Sequence, residues 1–303
     1  MSSTVTMGRN IKRNRLDLPV ELERIIFELA ARADIGTALK LVRVAHRVRD
    51  WVEPIIYQTV VVSRPSEELR LFRTERPMFR RRNTKAARMG PPTLPFIRTL
   101  AHRPQDFFAR HVHTLHLANL NEFELMTVLS SCTGVTELGW QNCTLMPEVA
   151  ILVNALELTR LSIDPTFCDF ARLQTTITHL DMTVLPPEGI LKQFVALTHL
   201  SLSAYAIHPP NWREATFAAC KKLAILLHIS ADALWGRMGV PAYQDDRLVE
   251  LPPPVRGSEV SIAHDLWPVA EEIVRGRKAF AEAERRKAEE EAKIAADGIQ
   301  VVG

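Results

Sequence analysis

The sequence predicts an α/β protein with three parts: an N-terminal helical module, an irregular array of strand-bearing repeats, and a C-terminal capping helix. Three observations carry this. Apolar residues between 16 and 56 recur at helical spacing, a six-residue phrase recurs from residue 112 onward, and the chain closes on a long run of charged helix formers. Composition agrees: 303 residues can bury a sizeable core, and 47% hydrophobic with 24% charged residues is ordinary for a soluble chain. A net charge of +3 calls for neither nucleic acid nor a membrane surface.

Residues 1–15, MSSTVTMGRNIKRNR, read as a basic flexible tail; no apolar stretch follows the basic residues as a secretory signal would require. No apolar run is long enough to span a bilayer. The four cysteines, Cys132, Cys143, Cys168 and Cys220, have neither metal-ligand spacing nor the density of a disulfide framework. They read as reduced core residues of an intracellular protein, cytoplasmic and/or nuclear.

The first helix starts at Pro19, where a missing N–H costs nothing. Leu18, Leu22, Ile25, Ile26 and Leu29 fall on one face, and Glu21 and Glu23 suit the positive end of the dipole. Asp34, Ile35 and Gly36 break it after Arg32. A second helix, TALKLVRVAHRVRDWVEP, carries the stripe Leu41, Val44, Ala45, Val48, Trp51 and Val52, and Pro54 stops or bends it. The β-branched run from Ile55 to Val62 turns into a first strand.

The order Leu18-Pro19, Glu21-Leu22, Ile26-Phe27, Val44-Ala45-His46-Arg47 and Ile56-Tyr57-Gln58-Thr59-Val60 resembles an F-box over residues 16–62. The whole chain is similar to the F-box-like leucine-repeat proteins of mushroom-forming fungi. The resemblance implies a module that docks on the small adaptor subunit of a cullin–RING (SCF-type) ubiquitin ligase, and through it on the cullin scaffold. By motif position it implies adaptor contacts at Leu18, Pro19, Leu22, Ile26, Val48 and Tyr57. The alternative is that this segment is only a helical cap on the array behind it.

The repeated phrase is VHTLHL, VTELGW, LTRLSI, ITHLDM and LTHLSL, starting at residues 112, 135, 158, 177 and 197. KLAILLH is a sixth copy with a register ambiguous by one residue, and RLVEL a seventh strand. A period of 19–23 residues around an L-x-L strand is the signature of leucine-rich repeats, so an irregular leucine-rich-repeat solenoid is expected over 105–265. NEFELMTVLSSCT and PEGILKQFVA supply outer helices. Side-chain alternation puts Thr114, His116, Glu137, Gly139, Arg160, Ser162, His179, Asp181, His199 and Ser201 on one exposed sheet face. From it, His116, Glu137, Arg160, His179, Asp181 and His199 are candidates for holding an unknown protein target.

Residues 63–104 form a basic, Pro-rich, partly disordered insert with Arg80, Arg81 and Arg82 at its centre. Its few aromatics argue against single-strand nucleic-acid binding. Residues 266–303 begin with Leu266, Val269, Ala270, Ile273, Val274 and Phe280, enough to cap the last repeat, and continue as a solvated charged helix. No nucleotide-binding, protease or hydrolase motif is present, so no enzyme and no cofactor are expected. His111, His113 and His116 do not share one face and have no acids or cysteines beside them, so no metal is expected. His179 and His199 recur as part of the repeat. The expected function is a substrate-recognition adaptor of the ligase; the alternative is a repeat-based interaction scaffold.

Overall fold

The computed structural model describes residues 18–64, 94–143, 146–163, 175–186, 188–203, 211–229, 245–252 and 266–299. The chain forms two compact units, residues 1–58 and 59–303. The basic tail, most of the basic insert (including Arg80, Arg81 and Arg82) and Cys168 lie outside the described residues.

The first unit holds α1 (Val20–Ala33), α2 (Ile35–Leu41) and α3 (His46–Ile56). Pro19 is the N-cap of α1, and its carbonyl accepts from the N–H groups of Leu22 and Glu23 at 3.0 Å. Asp34 ends α1 and caps α2: its Oδ2 accepts from the Thr37 N–H at 2.6 Å and the Thr37 hydroxyl at 2.7 Å. The side chain thus makes the break that the sequence places at 34–36. The second expected helix is two helices. Residues 42–44 form a turn and Ala45 is extended, so α3 starts a new phase and Val44 faces solvent. Pro54 sits in the last turn of α3 without ending it. Ala31, Ala38, Val48 and Val52 form a small core, with Phe27, Trp51 and Ile55 packed at its margin.

The second unit is built on one eight-stranded sheet, all parallel, with strands in chain order. These are β1 (Thr59–Ser63), β2 (Thr114–Ala118), β3 (Glu137–Gln141), β4 (Arg160–Ile163), β5 (His179–Met182), β6 (His199–Ser203), β7 (Ile225–Ile229) and β8 (Leu248–Leu251). The leucines of the repeated phrase stand in register: Leu115, Leu138, Leu161, Leu180, Leu200, Leu226 and Leu248 form one row, each at most 5% exposed. The recurrent threonine also has a physical role. The hydroxyls of Thr159, Thr178 and Thr198 each donate to the carbonyl of the threonine one strand back, at 3.2, 3.1 and 3.1 Å.

Between strands lie α4 (Pro95–Leu100), α5 (Gln105–His111), α6 (Glu122–Ser131), α7 (Pro147–Asn154), α8 (Glu188–Leu191) and α9 (Trp212–Ala219); α10 (Trp267–Ile299) closes the chain. A capping box fixes the start of α6, with Asn121 accepting from the Glu124 N–H and the Glu124 carboxylate accepting from the Asn121 N–H. The same carboxylate takes the Arg64 Nε at 3.0 Å. PEGILKQFVA yields only the single turn of α8. No helix among the described residues is long and apolar enough to cross a membrane.

The expected architecture is therefore corrected. The structure is α/β, with ten helices and one continuous parallel sheet among the described residues. A helical F-box-like module followed by an irregular leucine-rich-repeat solenoid and a capping helix is not evident in it. The β-branched run forms the expected first strand, but as β1, an edge strand of the sheet unit and not the end of the helical one, because Val60 and Val62 bury one face against β2. The apolar first half of the closing helix packs where expected, on the last strands. It lies on the sheet, packing Trp267, Ala270 and Val274 against Ile225, Leu227, Ile229 and Val249.

Candidate functional site

The sheet face opposite the leucine row carries two cross-strand rows. One runs Thr114, Glu137, Arg160, His179, His199 and Ile225; the other runs His116, Gly139, Ser162, Asp181, Ser201 and Leu227. Both are polar from β2 to β6 and apolar at β7. The structure thus brings all six predicted target-binding residues together on this face, each partly buried.

The polar groups engage one another. The Thr114 hydroxyl donates to Glu137 at 3.2 Å, and Arg160 Nη1 approaches the other Glu137 oxygen at 3.4 Å. The Ser162 hydroxyl donates to Asp181 Oδ2 at 2.9 Å. Gly139 leaves the space above it to the His116 ring; a Cβ there would overlap His116 Nδ1. His179 and His199 stack with ring centroids 4.1 Å apart and planes 8° from parallel. Cross-strand pairs of this kind each contribute about 0.2–1 kcal/mol.

α10 supplies the wall. The Trp267 indole stands edge-on to both histidine rings, at 5.6 and 5.5 Å, and the Glu271 carboxylate lies 3.7 Å from His199 Nε2. Burial pushes the His199 pKa down, Glu271 opposes that shift and Arg160 adds to it, leaving it below the ordinary imidazole value. Between Trp267 and the polar rows lies a recess of about 20 Å³, lined by His116, Glu137, Arg160, His179 and Asp181. It has room for a group about the size of a water molecule.

Three cysteines are buried free thiols: Cys132, Cys143 and Cys220. Burial pushes Cys132 up to about 12 and Cys220 up to about 11, so both are protonated at neutral pH and poorly nucleophilic.

The second candidate surface is on the helical unit. Leu18, Leu22, Ile26 and Leu29 are between 48% and 64% exposed, and Ile25 is 50% exposed. The apolar stripe that periodicity identifies on α1 faces solvent, while Phe27 and Ala31 turn inward. Of the residues carried over as adaptor contacts, Leu18, Pro19, Leu22 and Ile26 are exposed and Tyr57 is half-buried. Val48 is 1% exposed and belongs to the unit's core, so it offers no surface to a partner.

No protein-family model and no curated protein matches this chain. Sequence reasoning missed Trp267 and Glu271. Both lie far from the polar rows in sequence, and the closing helix read as a cap at the end of the array. The available signal was the apolar alternation of Ile225, Leu227 and Ile229, which demands a cover on that face of β7.

Proposed function

We propose that this protein is a two-sided adaptor: the helical unit docks on the small adaptor subunit of a cullin–RING ubiquitin ligase, and the polar face of the sheet receives a protein target. The observation that carries the reading is the exposed stripe Leu18, Leu22, Ile25, Ile26 and Leu29. Contiguous apolar surface is rare on a soluble protein without a partner. The unit behind it has a thin core of two alanines and two valines, so it gains stability from a cover. The F-box-like order of residues 16–62 supports the ligase adaptor as that cover. On the sheet, Thr114, Glu137, Arg160 and His116 stand at the end of the polar face away from the apolar β7–β8 positions that α10 packs on. A partner there must match mixed charge and outcompete existing cross-strand pairs, which favours a polar protein surface over an apolar peptide. In this role the protein does no chemistry; it raises the local concentration of the target beside the conjugating machinery.

The test is co-purification of the full chain with the ligase adaptor subunit, beside a Leu22→Glu, Ile26→Glu variant, with folding checked by circular dichroism. Capture by the parent and not by the folded variant is the expected result. Absence of capture by either assigns the stripe to another partner and removes the ligase from the reading.

A further inference from the structure

His179, His199 and Glu271 lie together where the start of α10 approaches β5 and β6. One ligand atom from each, an imidazole nitrogen or a carboxylate oxygen, falls within 4.8 Å of the others. Two of the three stand on neighbouring strands and the third comes from a helix about 70 residues away, so the grouping is a product of the tertiary fold.

The threonine beside each histidine fits one tautomer. Each follows a threonine whose hydroxyl has a single hydrogen. The Thr178 hydroxyl donates it to the Thr159 carbonyl at 3.1 Å, and the Thr198 hydroxyl donates to the Thr178 carbonyl at 3.1 Å. Those same oxygens lie 2.9 Å from His179 Nδ1 and 2.8 Å from His199 Nδ1. In that arrangement each Nδ1–H donates to the threonine oxygen beside it, and the neutral ring carries its lone pair on Nε2. An imidazole whose Nδ1–H is held by a neighbouring oxygen, leaving Nε2 as donor to an ion, is the usual arrangement of a metal-binding histidine. Glu271 is 41% exposed, so an ion has a path from solvent.

We propose that His179 Nε2, His199 Nε2 and Glu271 form a binding site for a divalent cation of the zinc type. Two imidazoles and one carboxylate suit zinc or cobalt, and three protein ligands leave a fourth position for water. The ion joins α10 to the sheet beside Trp267, clamping the helix over β6–β8. The rings run parallel at 4.1 Å, so bonds of about 2.1 Å to one ion require them to tilt toward each other. Binding thus replaces the stack with a splayed pair. This inference stands independently of the ligase reading.

The experiment is titration of the full-length, chelator-treated chain with Co²⁺, followed by the visible absorption of a low-symmetry cobalt site and by displacement with Zn²⁺. One equivalent is expected to bind, raising the midpoint of thermal unfolding. His179→Ala and His199→Ala should each weaken binding by more than about 100-fold, Glu271→Gln by about 10–100-fold, and Thr198→Val by about 10-fold through its hold on Nδ1. Glu271 is partly exposed on a helix, so Glu271→Gln tests the site even where a histidine variant unfolds. His111→Ala and His113→Ala should leave the affinity unchanged. Failure of the parent to bind one equivalent overturns the proposal. So does binding that survives Glu271→Gln and both folded histidine variants, or that is lost with His111 or His113.

Discussion

The α1 stripe and the β7–β8 end of the sheet face are alike in chemistry and opposite in exposure. On the sheet, Ile225, Leu227, Ile229 and Val249 are buried because α10 lays Trp267, Ala270 and Val274 over them. On the helical unit, Leu18, Leu22, Ile25, Ile26 and Leu29 have no such cover. Full burial of each such side chain contributes about 1.5–3 kcal/mol. The sheet collects that stabilisation within the chain, whereas the helical unit leaves it available to a partner. Hydrophobic periodicity alone cannot separate these cases, because it reports that a face is apolar and not what covers it.

The covered face should be the more sensitive of the two. Ala270→Asp places a charge where the side chain is fully buried, among Ile225, Leu227 and Val249. It should cost about 3–5 kcal/mol. Urea denaturation should show a lowered midpoint, and a hydrophobic dye should bind the released sheet face. An unchanged midpoint would mean that α10 is not an essential cover.

Packing tightness gives the next contrast. A Cβ on Gly134 would overlap the Ala109 carbonyl oxygen, a backbone atom that cannot step aside. Gly134→Ala in the sheet unit should therefore lose about 3 kcal/mol. Gly36→Ala on α2 meets only the end of the Asp34 side chain, at 3.3 Å, and gains helix propensity. It should be neutral or stabilising by up to about 1 kcal/mol. Paired chemical denaturation curves test the difference. Equal losses would show that the helical unit is as tightly built as the sheet.

An ion pair in the sheet unit adds a pH-dependent contrast. Burial raises the Glu124 carboxyl pKa, but the Arg64 guanidinium and the capping-box N–H more than offset it, holding it below the usual carboxylate range. A group depressed on folding stabilises the protein above its unfolded pKa, about 4.3, and loses that contribution as pH falls through the folded value. Glu124→Gln should cost about 1–2 kcal/mol at neutral pH, with the deficit shrinking below about pH 4. A constant deficit from pH 7 to 3 would deny the ion pair this role.

The smallest expected effect on stability belongs to Leu22→Glu with Ile26→Glu. Both sites are about half exposed, so the pair should shift stability by no more than about 0.5 kcal/mol each while abolishing adaptor capture. Unfolding of the variant would mean that the stripe is part of the fold.

The strands were legible in the sequence because each phrase repeats a leucine that must share one buried row. His116, Glu137, Arg160, His179, Asp181 and His199 could be placed on the opposite face by alternation alone. The break at Asp34 was also legible, although its cause, a capped second helix, was not. Val48 is assigned to a partner by motif position alone, whereas the fold buries it with Val52 and Ala38 in the core of the helical unit. Trp267 and Glu271 were hidden for a different reason. The apolar first half of the helix could be assigned to the last repeat, but only the three-dimensional fold brings Trp267 and Glu271 against the histidines of β5 and β6. The overall architecture failed at the same point: local periodicity found the elements but not their assembly.

The covering of the sheet by α10 also bears on synthesis. β8 ends at Leu251, yet the residues that bury its outward face begin at Trp267 and run to Val274. At about 5–20 residues per second, the completed sheet edge emerges roughly one to five seconds before its lid. During that interval Ile225, Leu227, Ile229 and Val249 form a newborn adhesive surface, open to chaperones or to sister chains on the same message.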